Sequence, residues 1–218
     1  VETVLRYALV ALIAYLLGSI NFSIILSKLF AGTDIREHGS GNAGATNMFR
    51  LLGAKAGMLT VVFDVLKSLV AVFLGRYIIM GGEDALGAVL AGLFCIAGHM
   101  YPIFFGFKGG KGVAAALGMA LMINVWLGLG LFGVFCVIVF FTRYVSLGSI
   151  IGAALFGVLV PLLNLGQPNA LLIGIAGAFT GALIIWAHRS NIGRLLSGAE
   201  KRIGRDKSRQ GGEEDGGK

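Results

Sequence analysis

Three short stretches of this sequence combine residue types suited to binding phosphate. The first, Gly39-Ser40-Gly41-Asn42-Ala43-Gly44-Ala45-Thr46-Asn47, is followed by Arg50. Glycines such as Gly44 let backbone N–H groups converge on an anion, and Ser40, Asn42, Thr46 and Asn47 add neutral donors. Arg50 stands three residues beyond Asn47, one helical turn if a helix begins there, and its fork of donors matches a phosphate bidentately. The bland alternative is a flexible loop with Asn47 as a helix cap. The second stretch, Lys108-Gly109-Gly110-Lys111-Gly112, opens onto an apolar run at Val113. It shares the physics of a P-loop, with glycines, lysines and a helix N-terminus, and a methyl at Gly110 would obstruct the approach of backbone to an anion. It lacks the Walker spacing and no soluble strand precedes it, which argues against a nucleoside triphosphate. Its alternative reading is a basic turn that anchors a span. The third stretch is His188-Arg189-Ser190-Asn191, where His188 is the one histidine beside an arginine at an apolar boundary. An interfacial anchor is the alternative there. His38 reads as a solvated loop residue and His99 as a hydrogen-bonded packing residue.

The elements that must hold these stretches are apolar. Of 218 residues, 56 % are hydrophobic and 13 % charged, where a soluble domain carries about a quarter charged. The mean hydropathy is +0.86. Apolar runs of about 18 residues or more, enough to cross some 30 Å of hydrocarbon, recur along the chain. A fold class follows: all-α, polytopic, in a membrane. The 35 glycines suit close helix packing in lipid, with Gly53/Gly57, Gly148/Gly152 and Gly177/Gly181 at GxxxG spacing. Cys95 and Cys136 lie in apolar stretches and imply no disulfide framework. The first apolar run has no basic leader or A-x-A site and is expected to be a retained span.

Charges divide the runs into spans at about Val4–Phe30, Ala54–Ile79, Ala85–Phe105, Ser146–Leu163 and Ala170–Ala187. The stretch Val113 to Phe141 would rise about 43 Å as one helix, too long for a single crossing and short for two. Basic residues flank it on both sides, at Lys108/Lys111 and Arg143, so an even number of crossings is required. A division near Asn124 into two short spans meets that requirement, and a re-entrant pair is the alternative. Arg36, Arg50, Lys55, Lys108, Lys111, Arg143, Arg189, Arg194, Lys201 and Arg202 then fall on one side. The expectation is seven spans, N-terminus outside and C-terminus in the cytoplasm, in a single domain over 1–204. A charged, glycine-rich tail over 205–218 is expected to be disordered. Within the second span, Asp64 and Lys67 share a helix face, and a lone charge at mid-bilayer costs about 2.5–3.5 kcal/mol. Both should turn inward as a structural ion pair, with Asn21 a weaker candidate of the same kind. All three phosphate-type stretches fall on the cytoplasmic side.

The three stretches, with Gly98-His99-Met100-Tyr101-Pro102 leading into the second and Ile192-Gly193-Arg194-Leu195-Leu196 continuing the third, resemble the bacterial acyl-phosphate:glycerol-3-phosphate acyltransferase family. The resemblance runs from the first span to about Gly204. It implies an integral membrane enzyme of phospholipid synthesis. Such an enzyme moves a fatty acyl group from acyl phosphate to the sn-1 hydroxyl of glycerol 3-phosphate, giving lysophosphatidic acid and phosphate. It further implies that Ser40, Arg50, His188 and Asn191 carry catalysis. Asn42, Gly44, Thr46, Asn47, Lys108, Gly109, Gly110, Lys111 and Gly112 bind substrate, and Glu200 is a structural partner. The expected partners are acyl phosphate, glycerol 3-phosphate, membrane lipid and, metabolically, the soluble enzyme that forms acyl phosphate. An acyl phosphate is already activated, so no cofactor, metal or coenzyme A is expected, nor any nucleic acid. The H-x-x-x-x-D signature of coenzyme-A-dependent acyltransferases is missing, since Ala43, Phe104 and Gly193 follow the three histidines at that spacing. Either His188 or the departing phosphate takes the hydroxyl proton, and the lack of a neighbouring carboxylate for His188 favours the phosphate. A rival reading is a small anion transporter or channel. The clustering of polar residues on one face and the lack of an evident internal repeat speak against it.

Overall fold

The computed structural model describes residues 1–203, and the tail expected over 205–218 lies outside them. The described residues are helical, with no strand. In lipid every backbone polar group must find its partner within the protein, which helices achieve locally. Six helical segments have the length and apolarity to cross a membrane. The first comprises α1 (Glu2–Gly18) and α2 (Phe22–Ala31), and the second is α3 (Ala45–Phe73), prolonged by a π-helical turn at Leu74–Ile79. The third holds α4 (Ala85–Met100).

The long stretch from Val113 divides where the sequence predicts, at Asn124, but unequally. α5 (Val113–Ile123) has 11 residues and α6 (Val125–Thr142) has 18. Asn124 makes the break, its side chain accepting from Trp126 N and Leu127 N to cap α6. At 1.5 Å per residue α5 rises only about 16 Å, half a hydrocarbon core. α7 (Val145–Leu163), α8 (Ala170–Ala187) and the short α9 (Arg189–Leu196) complete the chain.

Two interruptions position the site. The first apolar run, which the sequence reads as one span, breaks at Ser19–Asn21. Asn21 is buried and caps α2 through its Oδ1, which accepts from Ile24 N, so its role is a cap inside the bundle. The break leaves carbonyls without helical donors, and Lys67 Nζ supplies them, at 3.0 Å to Gly18 O and 2.8 Å to Ile20 O. The second interruption is in α3, where Gly53 takes φ 82 and ψ −176, a conformation glycine adopts without strain. It separates a short amphipathic turn bearing Arg50 from the membrane helix, close to the boundary expected at Ala54. Gly53 has open space around it, so its contribution is this kink and not helix packing; Gly152, within α7, also faces open space. Close packing does hold at Gly177 and Gly181, which meet Val160 and Ala153 O of α7.

The main core lies where α1, α3, α4, α5, α7 and α8 meet, around Val89, Ile96, Met119 and Ile184. A smaller core of Ile24, Leu26, Ile35, Ala43, Met48 and Ala56 sits beneath the first phosphate-type stretch and fixes it to α2. The contacts among loops sort the helix ends into two groups. At one end, Tyr7 Oη donates to Asp84 and Arg76 donates to the Met122 and Ile123 carbonyls. Arg6 and Arg76 lie at this end too, each paired with a carboxylate, Glu2 and Glu83. The three stretches rich in glycine and charge gather at the other.

Candidate active site

Segment 106–112 folds back onto the end of α4. Gly109 N donates to Met100 O at 3.0 Å and Gly110 N to His99 O at 3.1 Å. A methyl on Gly109 would fall on the His99 carbonyl oxygen, and one on Gly110 on the His99 imidazole and on Ala43 O. Gly110 therefore has to be glycine because of His99 and Ala43, a different reason from the anion approach expected of it. Positive φ falls on Gly106 (φ 66) and Phe107 (φ 59) at the start of the segment and on Gly112 (φ 82), which turns the chain into α5. Contact with Ala43 docks the second stretch on the first. Arg36 ties them again, giving hydrogen bonds to Phe105 O at 2.6 Å and Lys108 O at 3.1 Å while its Nε and second NH2 grip Asp34. That grip, above all the hydrogen bonds from Arg36, holds the Asp34 carboxyl down at about 2.

Within the first stretch Asn47 organises the backbone. Its Oδ1 accepts from Ser40 N at 3.1 Å, and its Nδ2 donates to Ile35 O and His38 O at 3.1 and 3.0 Å. Helix α3 begins at Ala45 with Gly44 as its N-cap, so Asn47 lies in the first turn and is not the cap. Its amide is engaged by three backbone groups and shapes the loop that presents Ser40, which is exposed.

Glu200 is the hub of the third stretch. Its Oε1 accepts from Asn191 Nδ2 and Ser146 Oγ, each at 2.7 Å, and its Oε2 from Arg194 Nε at 2.7 Å. Burial alone would raise this carboxyl, but the bonds from Ser146, Asn191 and Arg194 overcome it and hold the group below its usual range. Asn191, oriented by Glu200, presents its Oδ1 to Lys111 Nζ. The second and third stretches thus meet at one lysine. Lys111 is pulled down to about 8, first by burial and then by the charges of Arg194 and Arg50, against the pull of Glu200. His188 is buried at the end of α8 with Nδ1 2.8 Å from Ile184 O, so Nδ1 carries the proton and Nε2 is left as an acceptor. Burial first, and then Lys111, outweigh the Ile184 hydrogen bond and Glu200 and push its pKa to about 4.

Comparison with known proteins gives the family. The family model described as glycerol-3-phosphate acyltransferase matches residues 8–198. This chain belongs to the glycerol-3-phosphate acyltransferase family. A relative of that name from Clostridioides difficile (strain 630) is 41 % identical over 206 residues, 94 % of this chain and 98 % of the relative. One from Thermoanaerobacter pseudethanolicus is 44 % identical over 196 residues, covering 90 % and 95 %. The crystal structure of PlsY (YgiH), an integral membrane glycerol 3-phosphate acyltransferase, in its glycerol 3-phosphate form is 42 % identical. It superposes with a TM-score of 0.81 over 91 % of this chain and 96 % of that one. The lysophosphatidic acid form gives 0.79 at 40 % identity.

In this acyltransferase the fold brings together Lys111, His188, Asn191 and Glu200, with Arg50 near enough for its charge to act on Lys111. Gly109, Gly110 and Gly112 form the bed of Lys111. Ser40, Asn42 and Lys108 stand in the same two loops and Thr46 in the first turn of α3, and Lys108 is exposed. Asp64 and Lys67 pair at 2.8 Å inside the bundle, as the sequence predicts. Four residues enter the site's framework without having been singled out as such: Ser146, Arg194, Arg36 and His99. Ser146 reads as the start of a span, Arg194 and Arg36 as positive-inside charge, and His99 as packing. Their partners are 54, 6, 69 and 32 positions distant, and no local spacing points to most of them.

Proposed function

We propose that this chain transfers a fatty acyl group from an acyl phosphate to the sn-1 hydroxyl of glycerol 3-phosphate, with no coenzyme A, cofactor or metal. The observation that carries the reading is the Lys111–Asn191–Glu200 connection. It joins the second and third stretches, and the contact of Ala43 with Gly110 adds the first, in one cationic, partly buried site at the end of an apolar bundle. Two anionic substrates, one with a long acyl chain, need such a site at a membrane boundary. The relatives solved in glycerol 3-phosphate and lysophosphatidic acid forms match this acceptor and this product.

In the reaction the hydroxyl oxygen bonds to the carbonyl carbon of the mixed anhydride, and the bond from that carbon to the bridging oxygen breaks while the oxygen–phosphorus bond stays intact. The phosphate departs with that electron pair and takes the hydroxyl proton. Phosphate is the better acceptor, since a phosphate monoester has a second pKa of about 6, whereas His188 is held at about 4. Neutral His188 instead orients the hydroxyl through Nε2. Arg50 and Lys111 hold the phosphate groups, while Ser40, Asn42, Thr46 and Lys108 supply further donors.

The test is acyl transfer by purified protein in detergent with each donor in turn. Acyl phosphate should give lysophosphatidic acid and one equivalent of inorganic phosphate, unaffected by chelator. Comparable transfer from acyl-coenzyme A, or none from acyl phosphate, would refute the donor assignment.

The accompanying topology has seven crossings, six by full-length segments and one by α5, whose short rise is made up by the inward fold of residues 106–112. The N-terminus lies outside, and the site faces the cytoplasm at the bacterial inner membrane. Single cysteines at Ser40 and Ser190 should react with impermeant reagents only from the cytoplasmic side, and one at Asn169 only from outside. Labelling of the Ser40 position from outside would overturn this orientation.

A further inference from the structure

The buried charges of the second span reach the active-site loop through His99. The side chains of Asp64, Lys67 and His99 are exposed by only 2, 4 and 4 %. Lys67 Nζ has hydrogen-bond partners in Gly18 O, Ile20 O and His99 Nδ1, the last at 3.0 Å. An ammonium has three donors and no acceptor, so Nδ1 of His99 accepts and the ring proton belongs on Nε2. Asp64 Oδ1, 2.8 Å from Nζ, accepts no hydrogen bond among the described residues and balances the charge by proximity alone.

The far edge of the same ring carries the loop. A Cβ on Gly110 would meet Nε2 of His99 and Ala43 O, while the His99 carbonyl accepts from Gly110 N. Asn21, beside the helix break that Lys67 closes, reaches Ala43 O at 3.5 Å. One residue therefore grips Gly110 by both backbone and ring, and Lys111 is the next residue in the chain. A leucine would fill this volume without placing charges in the membrane, which are costly there unless they serve a task.

We propose that His99 is a positioning residue for acyl transfer, anchored from within the membrane by Lys67 and Asp64, and that its Nε2 edge sets where Gly110 and hence Lys111 stand. The inference rests on the assignment of Lys111 to phosphate binding. Its test combines steady-state kinetics with equilibrium binding of radiolabelled glycerol 3-phosphate to purified, monodisperse protein. His99→Leu should weaken glycerol 3-phosphate binding and raise its KM by about tenfold or more, with the melting temperature within about 3 °C of wild type. His99→Gln keeps an N–H near the Nε2 position and should return to within about threefold. Because the ring and a Gly110 methyl compete for one space, His99→Ala with Gly110→Ala should be no worse than about twofold beyond Gly110→Ala alone. Multiplicative single effects in that cycle would overturn the proposal. So would a His99→Gln enzyme as impaired as His99→Leu, or losses in yield and melting temperature with KM unchanged. Should His99→Leu fail to fold, the Gln variant and the double-variant cycle decide. If wild type binds glycerol 3-phosphate but transfers nothing from acyl phosphate, the donor reading fails while the binding comparison still tests His99.

Discussion

Glu200→Ala should lower kcat/KM by about a hundredfold or more while leaving the helical bundle folded. The carboxylate accepts three hydrogen bonds at 2.7 Å, from Ser146, Asn191 and Arg194. Bonds to a charged group are worth about 1.5–3 kcal/mol each, and a hundredfold is about 2.7 kcal/mol. Little of the loss should come from the bundle, because Glu200 lies beyond α9 and its hydrogen bond to α7 is the one from Ser146 at the start of that helix. The effect should pass through Asn191, whose amide is free to rotate once Glu200 is gone, so that Lys111 loses the oxygen it faces. Arg194 would also stand near Lys111 with its charge unopposed. Glu200→Gln keeps an acceptor for Ser146 and Asn191 but sets an NH2 against Arg194, and should fall in between, near tenfold. Kinetics and melting curves on detergent-purified variants check this. A Glu200→Ala enzyme within about threefold of wild type would show that Asn191 is held by other means.

Much of this framework is visible in the sequence, for a physical reason. Apolar runs, basic loop residues and an i,i+3 charge pair are local patterns, so the spans, the division at Asn124 and the inward Asp64–Lys67 pair can all be read from spacing. The break at Ser19–Asn21 is hidden by its surroundings, because Gly18, Ser19, Asn21 and Ser23 lie inside one long run that is apolar on both sides. What permits the break is an ammonium 47 to 49 positions away. The bounds of α5, Val113–Ile123, follow from the run that opens at Val113 and divides at Asn124, but the fold of residues 106–112 back onto His99 and Met100 leaves no local pattern. Arg76 hides inside an apolar run although it sits at the end opposite the site, and its pairing with Glu83 explains how a cation is accommodated there. Gly110 shows the same limit in another form. The sequence identifies a position that tolerates no side chain, but the obstacle is a histidine from another helix.

Lys111 gives the prediction with the largest effect and the clearest pH signature. Its ammonium is pulled from 10.5 down to about 8 by burial, then by Arg194 and Arg50. The charged form must meet a phosphate, and kcat/KM reports titration of the free enzyme. For glycerol 3-phosphate it should therefore fall above about pH 8, approaching tenfold per unit. Lys111→Arg, charged at every accessible pH, should lose that alkaline limb while working less well at pH 7, because a planar fork replaces a point charge beside Asn191. Lys111→Met should lose about a thousandfold at pH 7, since both the charge and the hydrogen bond disappear from a buried site. Stability should move the other way. The folded pKa lies below the ordinary value, so folding disfavours the charged lysine, and this penalty is complete below about pH 8. It is relieved as pH rises from about 8 toward 10.5. Between those values the substrate-free wild type should gain stability relative to Lys111→Met while losing activity, which no general alkaline unfolding could produce. Rate profiles and paired melting curves across this range decide the matter. An alkaline limb that persists in Lys111→Arg would assign the titration to another group.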